Sequence, residues 1–132
     1  MPSLANITVK KNDGTTDITY TGVAASSGDN SPAVWRSNTV GAAVAHRPEL
    51  RLTSRANGQK TARRVEGVYS YPETVTGTDG VIRISERFNV SISAIVPNGM
   101  SETVVNEAVS QSLNLFAAAL IKDSVKAGFA PT

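Results

Sequence analysis

An α+β fold with strands first and helices last is predicted by three features of this sequence. Turn-forming dipeptides separate short apolar runs, one long segment alternates apolar and polar residues, and the C-terminal third repeats apolar residues at helical spacing. The 132 residues suffice for one domain with a real core, and neither an internal repeat nor a linker divides them. The expectation is a single domain over 1–132, sheet-forming over 1–97 and helical over 98–132.

Leu4 to Lys10 and Thr15 to Thr21 flank Asn12-Asp13-Gly14, where Asp-Gly supplies the positive φ of a tight turn, so a first hairpin is expected. Val23 to Ser31 is small, polar and Gly-containing, and reads as a loop closed by Pro32. Ala33 to Ser37 is a short strand carrying the only tryptophan, Trp35. Glu49 to Arg55 and Lys60 to Tyr71 form a second hairpin around Asn57-Gly58. Pro72 is expected to end that strand because it cannot donate to a ladder. Glu73, Thr74, Val75, Thr76, Gly77, Thr78, Asp79 and Gly80 then read as a flexible loop.

Val81 to about Val96 is the clearest strand. Ile82, Ile84, Phe88, Val90, Ile92 and Ala94 point one way, with Glu86 the exception. Arg83, Ser85, Arg87, Asn89, Ser91 and Ser93 point the other, so one face is expected to be buried and one wet.

Pro97-Asn98-Gly99 breaks the sheet, and Ser101 with Glu102 starts a helix as N-cap and first-turn acid. Val104, Val105, Ala108, Val109, Leu113, Phe116 and Leu120 form its apolar face. A short second helix around Lys122 to Ala127 stops at Gly128. Each large apolar residue gains roughly 1.5–3 kcal/mol on full burial, so this helix face must pack on a sheet. Pattern alone leaves open whether that sheet belongs to the same subunit or to a partner.

The chemical inventory argues against an enzyme. Cysteine is absent, which excludes disulfides and thiolate metal sites, and His46 is the only histidine, which excludes paired-histidine ligation. His46 is assigned a structural or solvent-facing place. No Gly-rich phosphate loop occurs in a strand-to-helix setting, and Thr76 to Gly80 lacks the ligand spacing of a calcium loop. No metal or cofactor is expected. No stretch approaches the roughly 20 apolar residues of a membrane span, and no secretory signal is readable in Met1 to Lys10, so a cytosolic origin is the default.

Charge is unevenly spread. In a chain of net charge +2, Arg47, Arg51, Arg55, Lys60, Arg63 and Arg64 lie together against the single acid Glu49. A solvated hairpin would account for the excess as well as an anionic partner does. The residue types tip the balance. Placing both strands of the hairpin on the polar side of the long strand puts Glu49, Arg51, Thr53 and Arg55 on one face with Arg64, Glu66, Val68 and Ser70. Guanidinium groups take phosphate bidentately, and Thr, Ser and Asn can read base edges, so RNA is the favoured partner.

The segments Leu50-Arg51-Leu52-Thr53 and Asn57 to Val65 resemble the RNA-binding hairpin of the levivirus coat proteins. Ala33-Val34-Trp35-Arg36-Ser37 is similar to a short strand in some members, and Asn114 to Asp123 with Ala130-Pro131-Thr132 to the C-terminal helices of others. The resemblance covers nearly the whole chain, and the order of its elements is more specific than any one piece. It implies an N-terminal β-hairpin and a five-stranded antiparallel sheet followed by two C-terminal α-helices, in an interlocked dimer whose helices cover the partner's sheet. Val104, Val105, Ala108, Leu113, Phe116 and Leu120 would form that dimer interface, and Glu73 to Gly80 the contacts between dimers.

It further implies an obligate homodimer that assembles into an icosahedral virion capsid in the bacterial host cytoplasm and binds hairpins of single-stranded genomic RNA. Repression of replicase translation is a second role in the family. By position, the RNA-facing residues fall on Arg51, Thr53, Arg55, Arg64, Glu66, Val68, Arg87 and Asn89. Glu66 would pair with a neighbouring arginine or accept from a base amino group. Arg51 and Glu66 replace threonines of the best-studied branch, and Val68 replaces a lysine, so an adenine pocket built on those threonines does not carry over. The alternative is an RNA- or single-strand-binding protein that forms no shell, which would normally place aromatics on the binding face.

Overall fold

The computed structural model describes residues 2–38 and 43–132. Among them six strands form one antiparallel sheet whose spatial order is the chain order: β1 Ile7–Lys10, β2 Asp17–Ala24, β3 Ala33–Ser37, β4 Glu49–Ala56, β5 Ala62–Thr76 and β6 Ile82–Pro97. The N-terminal hairpin is thus not a separate layer. It supplies the first two strands, and β2 pairs directly with β3 through a register shift between Gly22 and Ala24.

The first turn is built as its sequence suggests. Gly14 takes φ +75°, and the Asp13 carboxylate accepts the backbone N–H groups of Thr15 and Thr16 and the Thr16 hydroxyl. The second turn differs. Gly58 does not supply the left-handed residue; Lys60 does, at φ +56°. Asn57 Oδ1 accepts from the backbone N–H of Thr61 at 2.8 Å and of Ala62 at 3.3 Å, so the side chain organises a wider loop than an Asn-Gly turn needs.

Pro72 does not end β5, which runs on to Thr76. The pairing with β4 stops at Ser70, opposite Glu49, the first residue of β4. Beyond that point β5 has no strand partner on that side among the described residues, and an edge position tolerates a residue without an N–H. Consequently Glu73 to Thr76 are strand rather than loop. Only Gly77 to Gly80 turn, closed by Gly77 N–H to the Val81 carbonyl at 2.9 Å and by Gly80 at φ +78°. Val23 and Ala24 likewise belong to β2 rather than to the loop after it.

The chain divides into two compact units, residues 1–95 and 96–132. In the first, the interior is small: Val34, Trp35 and Ala62 are buried with Ser37, Pro48, Gly67 and Pro72. Trp35 donates its indole N–H to the Ala5 carbonyl at 2.8 Å, and Leu4 lies against Gly22. Tyr20 and Tyr69 meet edge to face and share a hydroxyl hydrogen bond of 2.8 Å. In the second unit, α1 spans Glu102–Phe116 and α2 spans Ala119–Ala127, bent by 50° at the intervening break. Ser101 is the N-cap by backbone geometry, though its side chain makes no capping bond. Gly128, at φ +79°, closes α2 by donating to Ser124 and Val125. Leu120 therefore belongs to α2, which begins at Ala119 rather than near Lys122. Among the described residues no single helix is long and apolar enough to cross a membrane.

Candidate nucleic-acid interface

Antiparallel register decides which side chains share a face, because residues directly opposite each other point the same way. Along β4 and β5 the pairs Glu49–Ser70, Arg51–Val68, Thr53–Glu66 and Arg55–Arg64 define one face. Arg36 of β3 joins them opposite Glu49. From β6, Arg87 joins as well, its guanidinium donating to Ser70 Oγ at 3.4 Å. Asn89 follows two residues on and shares that face by the strand period. All eight positions expected to meet RNA are brought to one side of the sheet.

The opposite face carries Leu50, Leu52, Val65 and Tyr69 with Phe88, Val90 and Ile92, whose Cγ1 would lie 3.1 Å from a Cβ at Gly67. The long strand's apolar side was expected to be buried. In the single chain it is not, with Phe88 49% and Ile92 44% exposed. The two helices likewise hold no buried residue, and Phe116 is 63% exposed.

The polar face is not a uniform array of free cations. Glu49 receives Arg36 Nη2 on Oε2 at 3.3 Å and Arg51 Nε on Oε1 at 2.5 Å. Glu66 receives Arg55 Nη2 at 3.2 Å and Arg64 Nη1 at 3.5 Å, both on Oε1. Two carboxylate-centred arginine triads therefore occupy the face, each with one net positive charge. Arg36 and Glu49 are the more enclosed pair, about four-fifths covered, and Arg36 Nε is buried without a hydrogen-bond partner among the described residues.

Two open depressions border the triads. One, of about 510 Å³, is lined by Val44, Ala45, Arg47, Glu49, Arg51, Val68, Ser70 and Arg87. The other, of about 430 Å³, is lined by Arg55 to Gly58, Ala62 to Arg64 and Ile95. Both admit a nucleotide-sized group, and both present guanidinium nitrogen. Among the described residues no group of three or more acidic or histidine side chains is placed to hold a metal ion. His46 sits in a single 3₁₀ turn, Val44–His46, beside the first depression.

Sequence reasoning missed Arg36 and Arg47 as parts of this face, while the period of β5 places Ser70 on it. Arg47 had a visible signal in the basic cluster. Arg36 had none, because a period of two within β3 does not say which side faces which without the register to β4.

Strands in chain order followed by two C-terminal helices make this the levivirus coat-protein fold. Similar solved structures include the virus-like particle of Beihai levi-like virus 21, with TM-score 0.82 and 19% identity over 99% of this chain and 98% of that one. The virus-like particle of bacteriophage NT-214 is similar with TM-score 0.82 and 13% identity over 99% and 100%. The bacteriophage GA capsid protein is similar with TM-score 0.75 and 20% identity over 95% of each chain. No family model matches the sequence, and no curated protein matches it.

Proposed function

We propose that this chain is the capsid protein of a single-stranded RNA phage. It forms a homodimer, assembles into a closed icosahedral shell and holds genomic RNA against the polar sheet face. The observation that carries the reading is the two-sidedness of the sheet. One face gathers Arg36, Arg51, Arg55, Arg64 and Arg87, while the other leaves Phe88, Val90 and Ile92 uncovered in the single chain. Exposed apolar surface on this scale marks an interface.

A second copy is the fitting occupant. β6 is sixteen residues long and lies at the end of the sheet, and a long open edge of that kind invites pairing. Val104, Leu113, Phe116 and Leu120 provide an apolar surface of matching character, with half-covered Val105 and small Ala108 between them. Dimerisation then buries both apolar surfaces and leaves the arginine face free. Gly77 to Gly80, at the tip of the β5–β6 hairpin, is assigned to contacts between dimers. Repression of translation follows if one RNA hairpin is bound much more tightly than the rest.

Electron microscopy of the purified protein tests the reading, combined with nuclease digestion of the contents. Closed particles containing protected RNA are expected. Soluble RNA-binding dimers that never close would favour the alternative of a non-capsid RNA-binding protein.

A further inference from the structure

The RNA reading leaves Glu66 unexplained, since a carboxylate on a phosphate-binding face repels its ligand. Its geometry supplies a role. Arg55 and Arg64 face each other directly across β4 and β5, an arrangement that like charges resist. Glu66 relieves the repulsion, and both guanidinium groups reach the same oxygen, Oε1. Among the described residues Oε2 accepts no hydrogen bond, and the side chain is 40% exposed. An ionised carboxylate has acceptor capacity only, so its outer oxygen calls for a donor. Phosphate offers none, and the one donor on uracil's pairing edge, N3–H, is flanked by the O2 and O4 carbonyls, which repel a carboxylate. Cytosine offers its exocyclic amino group in place of O4, and a carboxylate accepting from that group is a recognised base contact. Arg55 and Arg64, the two partners of Glu66, also line the depression that reaches Ile95.

Building on the RNA-binding reading, we infer that Glu66 is a specificity-determining residue which selects amino-bearing bases in single-stranded RNA and rejects uridine. It does so in two ways. Occupied by Glu66, Arg55 and Arg64 give less to a bare polyanion, which lowers binding that ignores sequence. The second oxygen, Oε2, then returns affinity only to a base that donates to it. Glu49 is less suited, because each of its oxygens already holds a guanidinium, of Arg36 or Arg51, and its side chain is only 21% exposed.

Polycytidylate and polyuridylate test this, since the two bases differ at position 4 by amino against carbonyl. Binding of each to the assembled-competent wild-type protein, Glu66→Gln and Glu66→Asp is measured by filter retention at two salt concentrations. Wild type should hold polycytidylate several-fold more tightly than polyuridylate. Glu66→Gln should lose that preference, bind polyuridylate more tightly and steepen its log–log salt slope by roughly 0.7 for each phosphate gained. Glu66→Asp, which keeps the charge, should retain part of the preference, and circular dichroism confirms that both variants fold. An unchanged cytidine-to-uridine ratio in Glu66→Gln overturns the inference while leaving RNA binding intact. If no protein binds either polymer, and Arg64→Ala changes nothing, the RNA-binding reading falls and takes this one with it.

Discussion

Arg55 and Arg64 stand directly opposite each other on β4 and β5, and the same carboxylate oxygen of Glu66 holds them both. Removing one arginine therefore does two things. It takes away a cation, and it lets Glu66 pair more closely with the cation that remains.

Arg64→Ala should weaken binding of all RNAs to a similar degree and flatten the log–log salt slope by roughly 0.7–0.9. Asn89→Ala should instead reduce preference for a cognate hairpin, by about 1–3 kcal/mol for a good base contact. Filter binding to cognate and scrambled hairpins separates the two. Equal loss of discrimination in both variants would remove the division between phosphate and base contacts.

Leu113→Asp or Phe116→Asp should abolish dimers and particles while leaving helix content largely intact. Both residues are at least half exposed in the single chain, so the charge meets water there and an apolar seam only after association. Analytical ultracentrifugation with circular dichroism provides the check. Normal particles from either variant would remove these residues from the interface.

Replacing Gly77 to Gly80 by a two-residue turn should leave the dimer unchanged and alter the size or yield of particles. The turn makes its own bonds, with Asp79 accepting the Val81 N–H at 3.0 Å and gripping the Arg83 fork, so its loss does not unravel the strands beyond it. Electron microscopy of reassembled material reads the outcome, and particles of unchanged size and yield would count against a role between dimers.

Acid should loosen the β1–β2 turn late. The Thr16 hydroxyl, then the Thr16 and Thr15 backbone N–H groups, hold the Asp13 carboxyl well below its ordinary 3.8, at about 2. A depressed carboxylate contributes stability above its unfolded value, and that contribution fades as pH falls through the folded one. Protection of the Thr15 and Thr16 amides, corrected for intrinsic exchange at each pH, should thus hold to about pH 4 and fall towards pH 2. Asp13→Ala should show little protection throughout.

Gly22→Ala should free the N-terminal segment. A Cβ there would sit 2.9 Å from Leu4 Cγ and Cδ2, and Leu4 adjoins the carbonyl of Ala5 that receives the Trp35 indole. Overpacking of this kind costs about 1–3 kcal/mol, here toward the low end because Leu4 can swing aside. A red shift in Trp35 emission is the readout.

Much of the sheet was legible. β3 falls on Ala33–Ser37 as read, and the alternation of β6 places Arg87 beside Ser70 and Ile92 beside Gly67 on opposite faces. Local chemistry misled where neighbours decided the outcome. Pro72 reads as a terminator, yet β4 has already ended beside it. Leu120 continues the helical period of α1, but the backbone breaks at Ala117 and Ala118 and restarts on a new axis. The candidate face was legible as a set of residues and not as a set of bonds. That both arginines of one pair choose one oxygen of Glu66 depends on the register between β4 and β5, which periodicity does not carry.

A sheet whose spatial order repeats its chain order has a consequence for how it is made. Each strand pairs with the one synthesised just before it, so no strand must wait for a distant segment to find its place. During translation the ribosome can lay the sheet down from β1 to β6 as successive hairpins, with α1 and α2 emerging last. Pulse-labelled exchange on nascent chains stalled at Thr132, with the helical segment still in the ribosomal exit tunnel, should already find the β4–β5 amides protected. The arginine face would then exist before the helices do, close to the message that encodes it.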